Sequence, residues 1–378
     1  MSDDMKQFSP LTHLGDISLN TFFSDYWQKK PLLIRQAFPN FSSLISPDEL
    51  AGLSLEEDVE SRLIVENKHQ WQVEHGPLEE ERFTTLPEHH WTLLVQHVDS
   101  LDPQINALLK AFRFLPNWRL DDIMISYASD GGGVGPHFDY YDVFLLQAEG
   151  ERRWRLGQEC SSASPLIPNQ PMKILQDFST EEDWVLSPGD MLYVPAKKAH
   201  WGEAVGECMT YSIGFRAPSH ADFILDYSQE AASTFNEDLR YSDPKLHPNN
   251  DIGKISEDSI HHFQSILQDL SSDKHAIASW LAQYATELKQ PIDAMFDALS
   301  PNELEENFRC KLSEYCRVSY FSDTNDTAKC FINGKPWQCS EKLAQRLSHF
   351  QELRYTDFDD SDKNVLKSLA ADGLLRQN

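Results

Sequence analysis

Gly131-Gly132-Gly133-Val134-Gly135-Pro136-His137-Phe138-Asp139, with a distant His200 in Val194-Pro195-Ala196-Lys197-Lys198-Ala199-His200, decides how this chain is read. In a β-strand residues i and i+2 share a face, so His137 and Asp139 reach one point together and His200 completes the set from a distant strand. Two imidazoles and one carboxylate form the facial triad that binds non-haem Fe(II) and leaves positions open for a co-substrate and O2. Catalytic zinc more often takes three histidines, or two with glutamate. A bare H-x-D is a weak signal. Its weight comes from its surroundings: a glycine-rich loop able to bring backbone close to a ligand, flanking strands, and a later histidine behind a Pro-Gly-Asp turn. The chain reads as an enzyme.

Outward from this stretch, short strands are expected at Ile123–Tyr127, Val143–Gln147, Arg152–Leu156, Met191–Val194 and Met209–Phe215. Ala148-Glu149-Gly150 and Ser187-Pro188-Gly189-Asp190 read as the turns between them, a pattern of sandwiches and barrels. Upstream, a helix is expected over Leu19–Gln28, and an aromatic, His-rich segment over Glu88–Val98 is expected to pack around the next domain. Downstream, amphipathic helices are expected at Ala221–Thr234, Ser259–Leu270 and His275–Leu288, the first set apart by the Pro- and Asn-rich loop Tyr241–Asn250. From about Pro291, helix signals precede Cys330-Phe331-Ile332 and a turn at Asn333-Gly334, which suits a small winged-helix-like unit. The acidic Asp357–Asp362 run reads as a solvated face.

The 378 residues carry 33 Lys+Arg against 60 Asp+Glu, a net charge of -27, and are 40% hydrophobic. That balance opposes contact with phosphate backbones and favours a basic partner through long-range attraction. Even the winged-helix-like end has more acidic than basic side chains, so direct binding to nucleic acid is not expected. Six cysteines without paired C-x-x-C spacing read as reduced thiols of a cytoplasmic protein. The polar start has no signal-peptide pattern, and no apolar run reaches membrane-spanning length.

The stretch from Ile125-Ser126 through the glycine loop, His137-Phe138-Asp139 and Tyr141-Asp142-Val143-Phe144 resembles the bacterial JmjC-type ribosomal oxygenases. So do Arg152-Arg153-Trp154-Arg155 and Tyr211-Ser212 with Gly214-Phe215-Arg216-Ala217-Pro218, and, near the start, Trp27–Ile34 and Ser46–Leu53. The resemblance implies a cupin fold, Fe(II) held by His137, Asp139 and His200, 2-oxoglutarate and O2 as co-substrates, and hydroxylation of an arginine in the sixteenth large-subunit ribosomal protein. It also implies a helical dimerisation segment, hence a homodimer, and a C-terminal winged helix. Family register assigns Arg152 to the distal carboxylate of 2-oxoglutarate, a task suited to the planar, always charged guanidinium. Arg153 is expected to face away from Arg152 and Arg155, and register prefers Arg152 over Arg155. Ser126 and Thr210 are candidates for hydroxyl contacts with the co-substrate, while Ala128 stands where relatives are expected to carry a small polar residue. Asp130, Tyr140 and Asp142 are candidates for holding the substrate, with Tyr141 beside them.

The expected fold class is α+β: a cupin double-stranded β-helix with a mixed extension over 1–120, the core over 121–217, a helical dimerisation segment over 218–290 and a winged-helix-like unit over 291–378. Two other functions fit the same residues: a JmjC-type demethylase, which would release formaldehyde, and a catalytically idle barrel used as a binding module.

Overall fold

The computed structural model describes residues 8–244, 246–247, 251–289, 299, 304, 309–323 and 326–377. The start Met1–Lys6 and most of the helix signals after Pro291 lie outside the described residues. A hairpin of β1 (His13–Leu14) and β2 (Ile17–Ser18) opens the fold. The helix expected over Leu19–Gln28 is instead one turn, Leu19–Thr21, followed by a wider turn, Phe22–Tyr26, closed by the Trp27 N–H on the Phe22 carbonyl at 2.9 Å. Packing explains the difference. An α-helix would put residues five apart on different faces, whereas the wider turn brings Phe22 and Trp27 together onto Tyr193, at ring separations of 5.1 and 5.6 Å.

One nine-stranded antiparallel sheet follows: β3 (Leu32–Ile34), β4 (Ser61–Asn67), β5 (Gln70–His75), β6 (Trp91–Val95), β7 (Leu120–Ala128), β8 (Val143–Glu159), β9 (Glu182–Leu186), β10 (Met191–Val194) and β11 (Lys198–Phe215). Its order is β3-β10-β8-β11-β7-β6-β4-β5, with β9 against β8. The N-terminal extension thus supplies strands to the sheet, and the His-rich segment contains one of them, β6, paired with β7.

One expected break is a bend, while Ser187-Pro188-Gly189-Asp190 makes the expected turn between β9 and β10. Ala148-Glu149-Gly150 does not end a strand, because β8 runs through it, pairing with β10 before it and with β9 after it. Opposite it β11 is irregular between Val205 and Met209, where Gly206 stands at φ 72°, and Gly150 stands at φ 61°. Positive φ of this kind bulges a strand without stopping its ladder. The two long strands bend there together and fold the sheet over a cavity.

Alternation sorts the side chains. Phe144, Leu146, Tyr211, Ile213 and Ile125 point into the large core shared with the N-terminal extension. Their neighbours Val143, Leu145, Thr210, Ser212, Met124 and Ser126 line the cavity. Along β8 the parity inverts at the bend. Thr210 pairs with Gln147 but Met209 with Glu149, so Ala148 is an extra residue, and beyond it the inward residues are the even-numbered Arg152, Trp154 and Leu156.

After the sheet come the helices His220–Thr234, Glu257–Ser272 and Lys274–Thr286, close to the spans expected. Ser219 caps the first reciprocally with Asp222, and Ser256 and Asp273 cap the others. The C-terminal part has its own core around Leu343, Leu347, Leu366 and Leu369. It contains β12 (Arg309–Leu312), a meander of β13 (Val318–Ser322), β14 (Thr327–Ile332) and β15 (Lys335–Ser340), then β16 (Leu353–Arg354) and β17 (Leu375–Gln377) beside β12, with helices Glu341–Ser348 and Asp360–Ala371. Asn333 and Gly334, at φ 50° and 78°, make the tight hairpin turn their sequence calls for. Ion pairs dock this part on the extension: Arg317 with Asp99 at 2.9 Å and Lys110 with Glu314 at 2.8 Å. All six cysteines are free and buried. Among the described residues no helix is long and apolar enough to cross a membrane.

Candidate functional site

His137, Asp139 and His200 meet at the cavity, with one ligand atom from each lying within 4.8 Å of the others. His137 and Asp139 do not sit on a regular strand as expected. They lie in an extended segment held by one antiparallel bridge, His137 N–H to the His200 carbonyl at 3.0 Å and His200 N–H to the His137 carbonyl at 2.8 Å. The Lys197 N–H then binds the Asp139 carbonyl at 2.6 Å. The ligand-bearing segments are therefore tied to each other through their backbones.

The imidazoles are oriented from behind. Nδ1 of His137 is 2.9 Å from the Gly135 carbonyl and Nδ1 of His200 is 3.0 Å from the Lys198 carbonyl, so each Nδ1 carries the proton. That leaves both Nε2 lone pairs facing Oδ2 of Asp139, at 4.0 and 3.6 Å. Burial, and then the neighbouring His137, push the His200 imidazole down to about 4. It is neutral at any working pH, as a metal ligand must be. Two imidazoles, a carboxylate and an adjoining space suit a hard-to-borderline divalent metal with open positions, such as Fe(II).

Arg152 is buried at the far side of the same cavity, which measures about 220 Å³. Its Nη1 is 3.3 Å from Oγ of Ser126, its Nη2 is 3.4 Å from the Gly202 carbonyl, and its Nε has no partner. Among the described residues no carboxylate pairs with it. A buried guanidinium lacking a counter-ion costs several kcal/mol, so the cavity fits an anionic ligand such as a dicarboxylate. Gly202 makes room for it, since a Cβ there would stand 2.8 Å from Nε of Arg152 and 2.7 Å from Trp154. Gly133, expected to approach a ligand, approaches β11 instead: its Cβ would stand 2.3 Å from the Gly202 carbonyl.

The expectation about the neighbouring arginines is corrected. With a period of two, Arg152 and Arg155 lie on opposite faces, and Arg153 and Arg155 share the outer one. Arg153 pairs with Asp183, and Arg155 stacks 3.8 Å from Trp201 and pairs with Glu203. Ser126 and Thr210 line the cavity, Thr210 donating to Gln147 at 3.0 Å.

The three residues expected to hold the substrate do not line the cavity. Asp142 is fully buried, accepting from Tyr193 at 2.6 Å, Gln28 at 2.9 Å and Arg119 at 3.1 Å, so its carboxylate is spent on the core. Asp130 accepts the Gly206 N–H at 2.8 Å, holding the bend of β11. Tyr140 is exposed and packs on Phe138. Tyr141 does line the cavity, together with Asp121, Asp122, Met124 and Lys289, which sequence reasoning passed over. The signal for two of them was present. Once Ser126 is taken as inward, Met124 and Asp122 follow by alternation along β7.

Comparison with known proteins adds the following. A family model described as JmjC domain matches residues 107–223. The chain is 36% identical over 272 residues to the ribosomal protein uL16 3-hydroxylase of Escherichia coli, covering 72% of each chain. It is 34% identical over 369 residues to a probable ribosomal oxygenase of Haemophilus influenzae, covering 91% of this chain and 89% of that one. The X-ray structure of E. coli YcfD superposes with a TM-score of 0.85 at 30% identity, over 97% of this chain and all 100% of the other. The same ribosomal oxygenase in complex with cobalt and 2-oxoglutarate gives a TM-score of 0.80 at 30% identity, over 96% of this chain and 99% of that one.

Proposed function

Because this chain belongs to the JmjC-domain ribosomal oxygenases, a cupin-fold family, we propose that it hydroxylates an arginine side chain of the large-subunit ribosomal protein uL16. It is a 2-oxoglutarate-dependent oxygenase using Fe(II). The observation that carries the reading is the pairing, in one cavity, of the His137, Asp139 and His200 cluster with the unpaired buried Arg152. When bound, Fe(II) with 2-oxoglutarate and O2 supplies the oxidising power to insert one oxygen atom into a C–H bond, with succinate and CO2 as co-products.

The chain's own residues then have distinct tasks. His137, Asp139 and His200 hold the metal. Arg152 binds the distal carboxylate of 2-oxoglutarate, with Ser126 and Thr210 as polar walls. Trp154, Val143 and Leu145 keep that end of the cavity apolar and exclude water. On the cavity wall Asp122 offers negative charge, Asp121 being already paired with Arg216 and Lys289, and Met124 and Tyr141 offer apolar surface, a combination suited to a long side chain with a cationic tip. A demethylase reading lacks such support, because a methylated ammonium is matched by an aromatic cage, and among the described residues the cavity lining carries just Tyr141 and Trp154 as aromatics besides the two ligand histidines.

A net charge of -27 draws a basic ribosomal protein toward this cavity. A peptide carrying the target arginine is expected to gain one oxygen, and the same peptide with lysine is not, because an ammonium lacks the planar fork. Raising salt to about 0.5 M should weaken peptide capture much more than 2-oxoglutarate binding, since exposed charges are screened over less than about 10 Å at such strength. Equal hydroxylation of both peptides in a mass-spectrometric assay overturns the arginine assignment.

We further propose a cytoplasmic homodimer divided as the sequence suggests: an extension over 1–120, the core over 121–217, a dimerisation segment over 218–290 and a winged-helix-like unit over 291–378. Support for the dimer comes from the two helices that present apolar side chains to solvent. Ile260, Phe263 and Leu267 form a stripe on Glu257–Ser272, and Ile224 and Leu225 are 58% and 69% exposed on His220–Thr234. Phe263→Asp with Leu267→Asp is expected to convert the dimer to monomer in sedimentation, and a wild type that already sediments as monomer defeats the proposal.

A further inference from the structure

The two oxygens of the Asp122 carboxylate have different company. Oδ2 lies 3.0 Å from Nδ1 of His97 and accepts the His97 backbone N–H at 3.3 Å and Nε2 of Gln96 at 3.4 Å. Among the described residues nothing hydrogen-bonds to Oδ1. It faces Gly214 across the cavity wall, where a Cβ would stand 3.3 Å from it, so the missing side chain leaves that oxygen accessible from the cavity. His97 and Asp122 side chains are only 12% and 10% exposed, which removes most of the water that would otherwise compete for the pair.

The backbone of His97 makes this contact possible. It stands at φ 54° and ψ 31°, in the left-handed region that a residue with a Cβ occupies at a cost. That conformation aims both its main-chain N–H and its ring at one carboxylate oxygen. Strain maintained beside a cavity wall, and serving one acceptor, points to a role at the site rather than to the turn into the helix Val98–Leu101.

We propose that His97 is a positioning residue for substrate recognition, holding Oδ2 of Asp122 so that Oδ1 is presented to the guanidinium of the incoming arginine. The inference rests on the arginine reading above and deepens it. Neutral donors and a titratable one act differently here. The groups that face His97 are Asp122 on β7, Asp99 on the adjoining helix and Lys289 beyond the helix Lys274–Thr286. Arg317 of the C-terminal part pairs with Asp99, and Asp121 pairs with both Lys289 and Arg216. Burial lowers the imidazole, but the hydrogen bond and charge of Asp122, with the charge of Asp99, raise it to a net value above the ordinary one. A guanidinium arriving at Oδ1 brings positive charge next to the imidazolium, so arginine binding favours loss of that proton. The peptide KM should therefore fall as pH rises through the His97 titration.

The test compares His97→Gly, which relieves the left-handed backbone and removes the ring, with His97→Asn, which tolerates the same backbone and puts an amide N–H where Nδ1 stood. Turnover is followed against an arginine peptide and against 2-oxoglutarate, from about pH 5.5 to about pH 8.5 around the ordinary histidine range. His97→Gly is expected to raise the peptide KM by about tenfold or more, the size of a lost hydrogen bond to a charged group, with the 2-oxoglutarate KM unchanged. His97→Asn should recover most of the peptide KM and lose the pH step. An unchanged peptide KM in His97→Gly, or a pH step that survives in His97→Asn, overturns the inference. If Asp122→Asn binds peptide normally while the wild type hydroxylates it, the inference falls and the arginine reading stands. If the wild type consumes 2-oxoglutarate yet leaves the arginine unmodified, both fall.

Discussion

Replacing Asp139 with alanine is expected to abolish turnover while leaving the protein folded. Its side chain does little for the fold: it is partly exposed, and among the described residues its carboxylate meets the two imidazoles. The loss should go well beyond the roughly 10–100-fold that follows removal of a merely supporting group at a metal site, because a direct ligand is gone. His137→Ala should behave alike. His200→Ala should also lose activity, with a stability cost added because His200 is buried and would leave a cavity. Anaerobic Fe(II) binding, 2-oxoglutarate-coupled turnover and a melting curve on each variant make the check. Near-normal activity in any of the three purified proteins would end the triad assignment.

Arg152→Ala is expected to raise the requirement for 2-oxoglutarate by about 2–5 kcal/mol, or roughly thirtyfold to several thousandfold, without a matching change in the requirement for iron. Part of that size reflects the partner: the distal carboxylate would enter a largely dry cavity and find no cation. Arg152→Lys should fall in between, since an ammonium restores charge but not the two-pronged geometry. Arg155→Ala serves as the control on the outer face, where Glu203 and Trp201 already hold the guanidinium. Titration of 2-oxoglutarate against the three variants decides the matter, and a larger defect in Arg155→Ala than in Arg152→Ala would refute it.

The metal cluster was legible because it is carried by residue type and close spacing, which survive without knowledge of the fold. His137 and Asp139 could be paired from their separation alone, although their segment is a bridged loop and not a strand. That Arg152 reaches the cavity was legible through resemblance, while the reasoning about its neighbours failed on parity. Side-chain identity could not reveal Asp142. An acid directly after a tyrosine pair looks like a substrate contact until Gln28, Arg119 and Tyr193 converge on it from three distant places. The same holds for Asp122, whose cavity-facing oxygen depends on Gly214 of a neighbouring strand. Local signals misled most at Gly150. A glycine with acidic neighbours reads as the end of a strand, and only the ladder on both sides distinguishes a bulge from a turn.

The extra residue at Ala148 makes chain length there a functional quantity. Deleting one residue between Gln147 and Arg152 would turn Arg153 and Arg155 into the cavity and carry Arg152 and Trp154 out of it, exchanging one cation and one indole for two cations in a space of about 220 Å³. Point substitutions explore this wall one side chain at a time, whereas a single-codon deletion rewrites it whole. Descendants of this chain can therefore drift in sequence along β8 far more freely than in length, and a relative one residue shorter at the bend must carry a compensating insertion before Arg152 to keep the same chemistry.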